Sequence, residues 1–118
     1  MLVVTGGSGF IGSHLCAALA TEEKPVSIDI SPPKEKNCIY KKADVRNPAE
    51  ILNAAAGAKT IFHLAAQISV QKSIENPQED FSINALGTLN CLEACRKNNS
   101  TFVYASSCLL YTSDAADE

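Results

Sequence analysis

Gly6-Gly7-Ser8-Gly9-Phe10-Ile11-Gly12 is the densest run of chemically suggestive residues in the chain, fitting G-x-G-x-x-G from Gly7 and G-x-x-G-x-x-G from Gly6. Glycines at this spacing permit a tight turn and let backbone approach a pyrophosphate, whose charge meets the N–H groups and dipole of a helix N-terminus. No Lys-Ser/Thr pair follows, so this is not the phosphate loop of a P-loop NTPase. The pattern carries weight only between a strand and a helix; elsewhere it is a tight turn and nothing more. Two acids come next. Asp29 lies near the offset of about 20 residues at which a carboxylate receives ribose hydroxyls, and its charge repels a 2′-phosphate, which favours NAD over NADP. Asp44 is placed to accept from an adenine amino group, although a helix cap or a loop acid explains it equally well when it is taken alone.

These residues need elements to hold them. Leu2-Val3-Val4 reads as a buried strand ending at Thr5-Gly6-Gly7, and Ile11, Leu15, Ala18 and Leu19 recur at helical spacing up to Ala20. Pro25 breaks that pattern before a second strand, Val26 to Asp29. A Pro-Lys-rich loop follows, and a third strand begins at Cys38-Ile39-Tyr40 and leads to Asp44-Val45. Pro48 suits the first turn of a helix stopping at Gly57, and Thr60 to Leu64 is a fourth strand. Pro77 opens the longest helix, with Phe81, Ala85, Leu89 and Leu92 as an apolar stripe reaching about Asn98, before a fifth strand from Thr101 to Ser106. Strands alternating with helices predict an α/β fold, a parallel sheet covered on both faces, whose ligands sit beyond the carboxyl ends of the strands. Gly6, Asp29, Asp44, Leu64-Ala65-Ala66 and Ser106-Ser107 are at those ends.

At 118 residues the chain holds one domain at most, and its 46% apolar and 19% charged content is that of a globular protein. A net charge of −3 without a Lys/Arg-rich run gives no footprint for nucleic acid or for an anionic membrane surface. No apolar stretch approaches the roughly 20 residues that span a bilayer. Met1 leads straight into Leu-Val-Val-Thr, which is not a secretory signal, so a cytoplasmic protein is expected. The five cysteines, at 16, 38, 91, 95 and 108, include no Cys-x-x-Cys pair. They read as small buried hydrophobes rather than a disulfide framework, and no metal site is expected.

Thr5-Gly-Gly-Ser-Gly-Phe-Ile-Gly-Ser-His14 resembles the opening of the extended short-chain dehydrogenases. The resemblance continues in Asp44-Val45, His63-Leu-Ala-Ala-Gln67, Asn84-Ala-Leu-Gly-Thr-Leu-Asn90 and Tyr104-Ala-Ser-Ser107, in family order. Within that family the chain looks most like the NAD-dependent epimerase/dehydratases, UDP-glucose 4-epimerases above all. The resemblance implies a Rossmann-type doubly wound parallel sheet, truncated after about five strands. It implies NAD as cofactor, contacted by Gly6, Gly9, Phe10, Ile11, Gly12, Asp29, Asp44, Val45, Leu64, Ala65, Ala66 and Asn84. It implies a nucleotide-sugar substrate epimerised through transient oxidation at C4, and a homodimer for the full-length parent. His14 and His63 are read as packing or capping residues. Ser107 aligns with the family's catalytic serine, whose partners are the tyrosine and lysine of Tyr-x-x-x-Lys, and no Tyr-x-x-x-Lys occurs in this chain. A dehydratase or reductase on the same scaffold, or a non-catalytic dinucleotide-binding module, are the alternatives.

After Ser107 the family would continue with small residues and Val-Tyr-Gly, whereas this chain reads Cys108-Leu-Leu-Tyr-Thr-Ser-Asp-Ala-Ala-Asp-Glu118. The same string results from translating a widely used transposase sequencing adapter. Residues 1–107 are therefore expected to be an incomplete NAD-binding domain, and 108–118 read-through from a DNA library.

Overall fold

The computed structural model describes residues 1–66 and 70–105. Five strands, β1 (Leu2–Thr5), β2 (Val26–Asp29), β3 (Ile39–Lys42), β4 (Thr60–His63) and β5 (Thr101–Tyr104), form one parallel sheet in the order β3-β2-β1-β4-β5. β1 lies at the centre, with Val3 opposite both Val26 and Ile61. Strand order reverses on its two sides, which opens a crevice at its carboxyl end.

Alternation along β1 sends successive side chains to opposite faces. Val3 joins Ile28, Ile51, Ile61, Cys91 and Ala94 in the larger core, under α2 (Pro48–Ala54) and α5 (Gly87–Asn98). Val4 joins Cys16 and Cys38 on the other face, under α1 (Phe10–Leu19). Full burial of side chains such as Ile28 and Ile61 contributes roughly 1.5–3 kcal/mol each, so the sheet's two faces supply most of the cohesion. The helix ends are built locally. Asn47 caps α2 by accepting from Ala49 and Glu50 N–H with Pro48 in the first turn, while α5 stops at Asn99, which takes the left-handed conformation at φ 55°.

Two expectations need correction. The run from Pro77 to Asn98 is helical throughout but not uniform: α4 (Pro77–Phe81) passes through a π-helical segment, Ser82–Leu86, into α5. A short α3 (Val70–Glu75), which periodicity did not signal, precedes it. More consequentially, the stripe of Phe81, Leu89 and Leu92 faces outward, at 65%, 54% and 43% exposure. The face turned to the sheet carries Gly87, Asn90, Cys91, Ala94 and Cys95. Both faces are apolar enough to satisfy a 3.6-residue period, and size decides between them. A Cβ at Gly87 would lie 2.8 Å from Val45 Cγ2, so only small residues admit so close an approach. In α1 the same rule buries Gly12 and Cys16 and leaves Ile11 exposed.

Candidate functional site

The carboxyl ends of the strands open into a cleft of about 880 Å³. Its floor is the glycine turn. Gly6 has φ +73°, donates its N–H to Ile28 O at 2.8 Å, and lies so near β4 that a Cβ would stand 2.8 Å from Ala65 N. Gly12 is tighter, since a Cβ there would come within 2.0 Å of Gly6 O. These two positions fix the turn sterically and bring α1 directly onto it. The N-cap of α1, Gly9, is extended and offers no side-chain cap, and the first turn carries no acid. Its N–H groups therefore face the cleft without a side-chain acceptor, a ready site for a pyrophosphate.

Asp29, half-buried at the end of β2, accepts from Ser8 N at 3.0 Å and from Ser31 N at 3.1 Å. The carboxylate thus braces the glycine turn against the following loop while still lining the cleft, beside the exposed Ile30. Asp44, beyond β3, is gripped by Arg46: Nε donates to both carboxylate oxygens at 3.0 and 3.1 Å, Nη2 to Oδ2 at 2.6 Å, and the Arg46 N–H to Oδ1 at 2.9 Å. These hydrogen bonds hold the Asp44 carboxyl below its usual range and outweigh its partial burial. Val45 continues inward, its carbonyl accepting from Asn90 Nδ2 at 2.8 Å.

The opposite wall is Leu64, Ala65 and Ala66, leaving β4. Thr5 Oγ1 accepts from Leu64 N and Ala65 N at 3.1 and 3.2 Å. The same hydroxyl lies 2.7 Å from Nδ1 of the buried His63, whose Nε2 is 3.1 Å from Thr88 Oγ1. Burial alone pushes His63 down to about 4, so the ring is neutral near pH 7. Asn84 stands in the π-helical segment and donates to Asp80 Oδ1 at 3.0 Å.

Gly6, Gly9, Phe10, Ile11, Gly12, Asp29, Asp44, Val45, Leu64, Ala65, Ala66 and Asn84, all expected from sequence to contact a cofactor, line this one cleft. Ser107 lies outside the described residues, as do Gln67 and the segment 108–118. Sequence reasoning missed Arg46, Ile30 and the Thr5–His63–Thr88 contacts. Arg46 was legible in principle, because a cation two residues from an acid in a turn can fold back on it; the histidine contacts join residues up to 58 apart and leave no local trace. Buried thiols complete the picture: Cys91 is pushed up to about 12 by desolvation and its neighbour Cys95, and Cys16 to about 11 by desolvation and Cys38. Among the described residues no group of three or more His, Cys, Asp or Glu gathers as a metal site, and no helix is long and apolar enough to cross a membrane.

The geometry fits a dinucleotide: an uncapped helix N-terminus behind a turn with no room for side chains, an acid at the next strand end, and a cleft with the volume of a small-molecule site. Comparison with known proteins agrees. A Methanocaldococcus jannaschii protein is 42% identical over 116 residues, covering 91% of this chain and 38% of that protein. The UDP-glucose 4-epimerase of Rhizobium meliloti is 35% identical over 118 residues, covering 93% and 36%. The crystal structure of Thermus thermophilus UDP-glucose 4-epimerase in complex with NAD superimposes with a TM-score of 0.80 at 36% identity, covering 90% of this chain and 37% of that one. The chain thus spans less than two fifths of the length of these relatives. A model of the NAD dependent epimerase/dehydratase family matches residues 2–118. With its Rossmann-type sheet and a cleft at the carboxyl ends of the strands, the chain belongs to the NAD-dependent epimerase/dehydratase family.

Proposed function

We propose that this chain is the N-terminal, NAD-binding part of a nucleotide-sugar 4-epimerase of the UDP-glucose type. The observation that carries this reading is the convergence of the twelve expected cofactor positions on one cleft, behind the uncapped start of α1. In that role the α1 N–H groups hold the pyrophosphate and Asp29 receives the adenosine ribose. Asp44 and Val45 border the adenine, and Leu64 to Ala66 with Asn84 enclose the far end. NAD, when bound, supplies reversible hydride acceptance, and the residues described here orient it and exclude water.

Proton transfer at the sugar belongs to Ser107 and to a Tyr-x-x-x-Lys pair that this sequence does not contain. The chain by itself therefore binds cofactor without turning over a sugar nucleotide. In this reading residues 108–118 are adapter read-through standing in place of the gene's own continuation, and the parent enzyme is a cytoplasmic homodimer. Two measurements test this. Calorimetric titration of the purified chain with NAD should give saturable one-site binding, and a flat titration would remove the cofactor role. Long-read sequencing of the source locus across codon 107 should reach Tyr-Gly and then Tyr-x-x-x-Lys; a frame that stops at Glu118 would withdraw the enzyme assignment.

A further inference from the structure

Between the sheet and the π-helical segment, every hydrogen of one buried polar chain can be placed from its partners. Thr5 Oγ1 accepts from Ala65 N–H and, shared with the Thr5 carbonyl, from Leu64 N–H, so the oxygen serves as an acceptor toward the backbone and its proton is left to donate. Its own proton must then go to His63 Nδ1, 2.7 Å away. At the other end, Thr88 Oγ1 lies 2.6 Å from Asn84 O, and a carbonyl only accepts, so Thr88 donates there. Its oxygen is left to accept from His63 Nε2 at 3.1 Å. Both ends demand the same ring, neutral with the proton on Nε2. Cys91 Sγ lies 3.4 Å from the same Nδ1. Phe102 and Tyr104 stack on the imidazole with centroids 5.9 and 6.0 Å away and fix its plane.

The chain ends where the helix changes register. Gly87 N–H reaches back five residues to Ser82 O, and within that slipped stretch the Thr88 hydroxyl takes the Asn84 carbonyl. π-helical segments often mark functional positions, and here Ile83 and Asn84 of the segment line the same cleft as Ala65.

We propose that His63 is a positioning residue: as the Nε2–H tautomer it ties the Leu64–Ala65 wall, through Thr5, to the Asn84 segment, through Thr88, and so sets the width of the cleft that receives the cofactor. It acts through the groups at its two ends. The inference rests on the NAD-binding reading given above.

The test uses the whole chain. Nitrogen-15 NMR of the histidine rings at pH 7, assigned with His14→Gln, should show His63 with an unprotonated Nδ1 and a protonated Nε2; the reverse tautomer or a doubly protonated ring overturns the proposal. NAD titration is then compared across variants. His63→Phe keeps the buried ring but neither hydrogen bond, and Thr88→Val removes the far link at nearly constant volume. Each should weaken NAD binding ten-fold or more, and the double variant should be no weaker than His63→Phe alone. His63→Gln, which offers an acceptor and a donor at similar spacing, should recover most of the loss. If His63→Phe does not fold, Thr88→Val carries the comparison. Unchanged affinity in Thr88→Val overturns this inference alone, whereas an unsubstituted chain that does not bind NAD overturns the cofactor reading and this inference with it.

Discussion

The inner and outer ends of the cleft are held by different physics. At the inner end, around Gly6, Gly12 and His63, positions are fixed by contact and by buried hydrogen bonds whose partners are all protein atoms. At the outer corner, Asp44 and Arg46 are fixed by an ion pair with 29% and 43% of the side chains exposed. Steric exclusion acts over tenths of an ångström and does not respond to salt. An exposed pair yields to water and counter-ions, and is typically worth about 1 kcal/mol or less. A cleft built this way keeps an invariant floor and an adjustable rim.

Substitutions can break that contrast, beginning with the largest effect. Gly12→Ala puts a Cβ against Gly6 O, with backbone on both sides and no flexible side chain to give way. The expected loss is about 3 kcal/mol or more, read as a lower urea midpoint together with loss of NAD binding. A variant that melts like the parent would show the floor to be as adjustable as the rim.

Acid comes next. His63 is depressed to about 4 when folded, against about 6.5 when the chain is unfolded, so between those values the unfolded state binds the extra proton. The stability due to its burial is complete above pH 6.5 and lost as pH falls toward 4, at about 2 kcal/mol by pH 5. Urea midpoints at pH 7 and pH 5 measure it, and His63→Gln should flatten the slope. Asp44 is also depressed, through Arg46, but its contribution is lost only at pH below the ordinary carboxylate range, so the two ends separate on the pH axis.

Asp29 sits between the two regimes. Asp29→Asn keeps one oxygen for Ser8 N–H or Ser31 N–H but removes the charge. NAD affinity should fall roughly ten-fold while the preference over NADP collapses, a ratio that paired titrations report. A preference left intact would place the discriminating group elsewhere. The smallest effect belongs to Arg46→Ala: a stability change under about 1 kcal/mol, fading further near 1 M salt, where the Debye length is about 3 Å. A large, salt-independent loss would assign the outer corner to the floor.

The floor was also the more legible part of the sequence. The glycine spacing, the β1 and β2 strands and Asp29 are local features, and the structure brings each of them to the cleft. What escaped was decided between distant segments. Whether α5 buries Leu89 and Leu92 or Cys91 and Ala94 depends on how closely Val45 approaches Gly87, which no periodicity encodes. The π-helical slip at Ser82–Leu86, the short α3 and the seam through His63 are likewise tertiary outcomes: His63 alone looks like any strand residue, and only the packing of β1 and α5 on either side gives both ring nitrogens a partner.

The position of β1 at the centre of the sheet has a consequence in time. During synthesis β1 takes β2 as a neighbour early, but its other edge waits for β4, 58 residues later in the Thr5–His63 pairing. At about 5–20 residues per second that wait is roughly 3–12 s. Throughout it, β1 has one bare edge, and Gly6 turns toward an Ala65 that has not yet been made. The Asp44–Arg46 corner is therefore made before the Leu64–Ala65 wall, which joins only after β1, β2 and β3 are already available to line up.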